Sequence, residues 1–105
     1  MIRVTVLYPK ASESKFDFDY YLNKHTPMVR ERLTPLGMVR IEVDEGLAGF
    51  PPTQPATYHA IGYLIFENLE GLQNGMATHG AEIMGDIANY TNVQPIIQVN
   101  RIATE

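Results

Sequence analysis

Apolar and polar residues alternate from the start of the chain. Ile2, Val4, Val6 and Tyr8 are separated by Arg3, Thr5 and Leu7, the two-residue period of a β-strand with one apolar face. Pro9 ends it. A helical period follows the polar connection Lys10–Lys15. Phe18, Leu22, Val29 and Leu33 form an apolar stripe, with Asp17 or Asp19 available as a cap. His25 falls in that stripe, three residues after Leu22 and four before Val29. Pro27 lacks a backbone donor and crowds the preceding turn, so a kink or break is expected near Lys24–Thr26. Pro35-Leu36-Gly37 closes the segment.

The two-residue period returns at Val39, Ile41 and Val43, alternating with Arg40, Glu42 and Asp44. Glu45 to Thr57 is a long loop with Gly46, Gly49, Pro51, Pro52 and Pro55, readable as a lid or a plain surface extension. Tyr58 to Phe66 is apolar at both parities, as in a strand buried on both faces, and Gly62 within it suggests a bulge or close packing above. A second helix carries the stripe Leu72, Met76, Ile83, Ile87, with a break expected near Gly75 or Gly80. Asn89-Tyr90-Thr91-Asn92 terminates it. Val93 to Ile102 reads as the last strand.

The order β-α-β-β-α-β is the split-βαβ, ferredoxin-like plan of an α+β fold: a four-stranded antiparallel sheet with two helices on one face. Two helices leave the other face open, although strands one, three and four carry apolar residues on both faces. A second copy of the chain would cover it. The expectation is a homodimer whose sheets pack face to face into a dimeric α+β barrel.

Composition narrows this picture. A chain of 105 residues, 45% hydrophobic and 19% charged, suits a single globular domain over 1–105. A chain this short buries only about 60–70% of its unfolded surface, which favours association. The net charge of -4 provides no basic patch for nucleic acid or an anionic membrane. Without cysteine there is no disulfide, thiolate nucleophile or iron–sulfur cluster. The first residues read as a strand rather than a signal peptide, and no apolar run spans a bilayer, so a soluble, cytoplasmic protein is expected.

His25 is the sharpest chemical candidate. A lone histidine on an apolar stripe is ordinarily a satisfied core residue. Two features point toward function. Pro27 disrupts the helix beside it, and Tyr20 and Tyr21 bring phenolic hydroxyls about one turn away. A partly buried imidazole titrating near neutrality suits a general base. Tyr21 is paired with His25 as a catalytic candidate. Tyr20, His59, Tyr63 and His79 are candidates for ligand contact. His59 and Tyr63 share one face of the third strand with Ile61 and Ile65; Tyr58, Ala60, Gly62, Leu64 and Phe66 share the other. Which face meets the helices stays open. His79, Glu82 and Asp86 follow one helix face, but the three histidines lie on separate elements, and no metal is expected. Glycine-rich phosphate loops and a Gly-x-Ser-x-Gly elbow are missing, and no cofactor is expected.

The strand ending Leu7-Tyr8-Pro9, the helix Phe18-Asp19-Tyr20-Tyr21-Leu22-x-x-His25-Thr26-Pro27, Pro35-Leu36-Gly37 and Asn89-Tyr90-Thr91-Asn92 resemble the EthD-like family across essentially the whole chain. The family takes its name from ethyl tert-butyl ether degradation and belongs to the dimeric α+β barrel proteins. The resemblance implies the ferredoxin-like protomer and the dimer, and it carries the motif histidine onto His25. It implies relatives that are cofactor-independent oxygenases, oxidoreductases or isomerases acting on small apolar or aromatic molecules. Two readings follow. In one, His25 is the general base of an oxygenase or isomerase free of metal and nucleotide. In the other, the chain is a non-catalytic binding or accessory protein, with His25 a hydrogen-bond partner only.

Overall fold

The computed structural model describes all 105 residues, Met1–Glu105. The elements run β1 (Ile2–Pro9), α1 (Phe18–Tyr20), a π-helical turn (Tyr21–His25), α2 (Thr26–Leu33), β2 (Met38–Glu45), β3 (Tyr58–Phe66), α3 (Leu69–Gly85) and β4 (Ile96–Arg101). Short 3-10 turns follow α2 at Thr34–Leu36 and α3 at Ile87–Asn89. The four strands form one antiparallel sheet in the order β2-β3-β1-β4. This is the ferredoxin-like arrangement that the element order implied. No helix is long and apolar enough to cross a membrane.

The first helix keeps its apolar face by a device absent from a regular α-helix. Asp17 caps it, accepting from the Tyr20 N–H at 3.1 Å. Thr26 N–H then bonds Tyr21 C=O, five residues back, in the wide π turn. The extra residue accommodates Pro27, which has no N–H to offer. It also changes the buried stripe. Tyr21, His25, Val29 and Leu33, four apart, face inward, whereas Leu22 is 46% exposed. A strict spacing of four drifts around an α-helix of 3.6 residues per turn; one widened turn takes up part of that drift. The expected stripe is corrected accordingly: Tyr21 replaces Leu22.

Two further expectations change. β2 carries a bulge between Met38 and Arg40, so Val39 turns outward at 45% exposure instead of joining Ile41 and Val43. α3 runs unbroken through Gly75 and Gly80. Gly75 is there for packing: a Cβ on it would lie 2.9 Å from Leu33 Cδ2, so its absence lets the two helices close together.

Register settles which face of β3 meets the helices. Val4 pairs with Leu64 and Val99, and Val6 with Gly62 and Ile97. Leu64 also pairs with Ile41. These residues share the helix-covered face. Its aliphatic end is Val4, Val29, Leu33, Met38, Phe66, Leu72 and Ile83, all buried. Its other end is Tyr8, Tyr21, Ala60 and Tyr90. The opposite face has no helix and carries Arg3, Thr5, Leu7, Ile61, Tyr63 and Ile65.

Candidate functional site

Between the aliphatic and aromatic ends, helices and sheet flank an open cavity of about 260 Å³, with Ile97, Val99, Met76 and Met84 exposed at its mouth. Val4, Val6, Leu64, Ile97 and Val99 form its floor; Val29, Leu72, Met76, Ile83 and Met84 form its helical side. Tyr8, Tyr21 and His25 stand on its wall, and Thr26 and Gln73 are its other polar residues. The lining is otherwise apolar, as small-molecule sites generally are.

His25 reaches this wall because the π turn rotates it inward. Its Nδ1 lies 2.8 Å from Asp86 Oδ2. Asp86 Oδ1 accepts from the Tyr20 hydroxyl at 2.7 Å and from the Asn89 side-chain amide at 2.9 Å. Burial favours the neutral Asp86 carboxyl, but the bonds from Tyr20, Asn89 and His25 outweigh it and hold the pKa below its ordinary value. Asp86 is therefore an acceptor-only carboxylate, which assigns the imidazole proton to Nδ1. Burial lowers the His25 pKa, partly offset by Asp86. At neutral pH the ring is neutral, with its lone pair on Nε2.

Aromatic rings hold this imidazole in place. Tyr21 stacks on it at 5.6 Å between centroids, and Tyr90 tilts over it at 4.7 Å. The Tyr90 hydroxyl lies 3.4 Å from Nε2 and 2.7 Å from the Tyr8 hydroxyl. Burial pushes the hydroxyls of Tyr8, Tyr21 and Tyr90 well above the usual tyrosine range, so all three stay protonated. Gly62 makes room for this cluster: a Cβ there would sit 2.6 Å from the Tyr21 hydroxyl. The close approach anticipated at Gly62 is that of Tyr21.

The candidates from sequence divide clearly. Tyr20, Tyr21 and His25 come together, Tyr20 acting through Asp86 rather than at the cavity. The others lie away from the cavity. Tyr63 stands on the opposite sheet face, beneath the Arg3 guanidinium at 5.8 Å, because β3 presents its other parity to the helices. His59 sits where the β1–β3 register shifts; its ring stacks on Phe16 and its Nε2 lies 2.7 Å from Ser14 Oγ. His79 is half-buried on α3 and does not line the cavity. No cluster of His, Cys, Asp or Glu is arranged to hold a metal ion. Asp86, Tyr90 and Tyr8, which complete the hydrogen-bonded cluster around His25, were not among the sequence candidates. Tyr8 and Tyr90 lie in the two motifs at the edges of the family resemblance, which was the available signal. Asp86 lies 61 positions from His25 and has no local signature.

A ferredoxin-like α+β protein with an imidazole–carboxylate pair on an apolar cavity is the class these features define. The EthD domain profile matches residues 9–94, and the chain belongs to the EthD family. An EthD-like protein from Ralstonia eutropha is 38% identical, with TM-score 0.92 over 99% of this chain and 93% of that one. An EthD family protein from Bacillus halodurans is 18% identical, with TM-score 0.67 over 96% and 97% of the two chains. A dimeric ferredoxin-like protein from an uncultured marine organism is 11% identical, with TM-score 0.62 over 99% and 95%. No functionally curated protein matches the sequence.

Proposed function

We propose that this EthD-family protein is an enzyme that binds a small, largely apolar organic molecule in the cavity and removes a proton from it with His25 as general base. The observation that carries this reading is the Asp86–His25 pair, joined at 2.8 Å, on the wall of an otherwise apolar cavity. Asp86 fixes the tautomer and stabilises the imidazolium that forms. The lowered His25 pKa keeps the base unprotonated at neutral pH. Tyr21, held as a neutral phenol, donates to the oxyanion of the resulting enolate or phenolate. That anion then reacts with dioxygen or is reprotonated at another atom, giving oxygenation or isomerisation. Neither step calls on a metal or nucleotide. Phenols, quinones and lactones are the ligands to screen by thermal shift, followed by oxygen uptake and product analysis on the hits. His25→Ala should abolish turnover of an identified substrate. Unchanged turnover would refute the role, and hits bound without turnover would make the protein a carrier.

We also infer a homodimer through the helix-free sheet face. Leu7, Ile61 and Tyr63 lie there partly exposed, and Ile96 on edge strand β4 is 53% exposed. The dimeric ferredoxin-like protein of the same fold supports this reading. Light scattering after size exclusion should give twice the mass of the 105-residue chain at micromolar concentration. A monomer there would reject it.

A further inference from the structure

The hydrogen-bond chain behind His25 has a direction. Asp86 accepts the Nδ1–H, so Nε2 offers only a lone pair. Tyr90, 3.4 Å away, is then the donor to Nε2, over a distance long for such a bond in the unliganded site. With its one proton so used, Tyr90 accepts in its 2.7 Å bond with Tyr8, and Tyr8 donates. What Tyr8 keeps for a ligand is a lone pair. Tyr21, on the same cavity wall over Gly62, directs its proton at the Tyr8 hydroxyl, and a ligand oxygen seated between the two takes that proton over from Tyr8. The aromatic end of the cavity thus offers an acceptor and a donor side by side. One hydroxyl oxygen on a ligand satisfies both, whereas an ether or carbonyl oxygen satisfies only the donor. Size adds a second limit. An apolar cavity of about 150 Å³ takes one benzene ring, so the space of about 260 Å³ between the walls holds one or two fused rings, with any further substituent leaving through the open side at Ile97 and Val99.

We propose that the ligand is a one- or two-ring phenol or enol whose hydroxyl donates to Tyr8 and accepts from Tyr21, and that its proton reaches His25 through Tyr8 and Tyr90. This deepens, and rests on, the reading of His25 as a base beside a ligand cavity. The ligand O–H bond breaks and its electron pair stays on the ligand oxygen. That proton bonds to Tyr8 Oη as Tyr8's own passes to Tyr90 Oη and Tyr90's passes to Nε2. Both tyrosines end as phenols, and an imidazolium ends beside the Asp86 carboxylate. The proton now on Tyr8 points back at the ligand oxyanion, which Tyr21 also bonds. Tyr8 is then a catalytic residue and Tyr90 a proton-carrying link to the base.

Two bicyclic probes and one acidic phenol test this. By calorimetry the wild-type protein should bind 2-naphthol about tenfold tighter than 2-methoxynaphthalene, which fills similar space without a donor. Tyr8→Phe should bring the two affinities to within about twofold of each other by weakening 2-naphthol alone. Adding 4-nitrophenol should convert the His25 imidazole to imidazolium in nitrogen NMR of the wild type. In Tyr90→Phe the phenol should still bind while His25 stays neutral. Equal wild-type affinity for the two naphthalenes, or a neutral His25 beside bound 4-nitrophenol, overturns the proposal while the cavity reading stands. Failure of both naphthalenes to bind overturns the proposal and the cavity reading together. The wild-type measurements decide the matter even if Tyr8→Phe does not fold.

Discussion

The two ends of the helix-covered face lie on the same strands and are both buried, yet they are built for different tasks. At one end Val4, Leu33, Met38, Phe66 and Leu72 pack without a polar atom among their side chains. Displacing one atom there changes only packing. At the other end Tyr8, Tyr21, Tyr90 and His25 are just as enclosed, but hydroxyls and ring nitrogens take part in the packing and must be bonded in a particular order. A buried polar network stabilises when complete and is costly when one member is lost. The aliphatic end supplies stability with tolerance in detail; the aromatic end holds a base at a defined tautomer and angle. The contrast shows that burial alone does not identify a structural core residue. His25 is 6% exposed, and its partners, more than its exposure, assign it a role.

Breaking the aliphatic end should have the largest effect on stability. Phe66 is fully buried, and Phe66→Ala should cost about 3–5 kcal/mol by urea denaturation. Wherever that variant remains folded, the His25 pKa by NMR should be little changed. At the aromatic end, Gly62→Ala places a methyl 2.6 Å from the Tyr21 hydroxyl and should cost about 1–3 kcal/mol. Unlike Phe66→Ala, it should also move the His25 resonances, through the Tyr21 ring stacked on it. A Gly62→Ala protein with unchanged resonances would mean that the two ends are not separate in this way.

Asp86→Asn should cost about 1–3 kcal/mol, but its diagnostic effect is on titration. Asp86 raises the His25 pKa against the larger lowering by burial, so its loss should move that pKa further down. The same shift has a sign for stability. Because the folded pKa of His25 lies below its unfolded value, the unfolded chain binds the proton more readily. That contribution is fully present above about pH 6.5 and is lost as pH falls from there through the folded pKa. Melting temperature should therefore drop on acidification below about pH 6.5, and less steeply in His25→Gln. The smallest effect belongs to Leu22→Ser. Leu22 sits in the stripe of the sequence pattern but faces water, so the change should stay within about 0.5 kcal/mol. A loss of several kcal/mol would place Leu22 in the core after all and remove the case for the π-turn register.

Most of the fold was legible because side-chain periodicity reports burial. β1 and β3 were readable almost to the residue, and the order of elements defined the ferredoxin-like plan. Two errors arose where one residue was inserted into a repeat. The π turn around His25 exchanged Leu22 for Tyr21, and the bulge at β2 turned Val39 outward. Neither insertion changes composition, and each reverses which neighbours face the core. The candidate site divided along the same line. His25, Tyr20 and Tyr21 were visible because they occupy one helical segment. The face of β3 that carries Tyr63 stayed open because strand parity distinguishes two faces without saying which one the helices cover, and the register shift at Tyr8–Pro9 took His59 out of that alternation.

By itself, then, the sequence determined the secondary structure, the family and the histidine, since each is encoded over a few adjacent residues. Only the tertiary structure decided what that histidine is. Asp86 reaches Nδ1 from the end of α3, 61 positions away, and Tyr90 reaches Nε2 from the turn beyond it. Tyr8 arrives from β1, at the far end of the chain from Tyr90. Such bonds act over about 3 Å between groups remote in sequence, so they leave no local pattern to read.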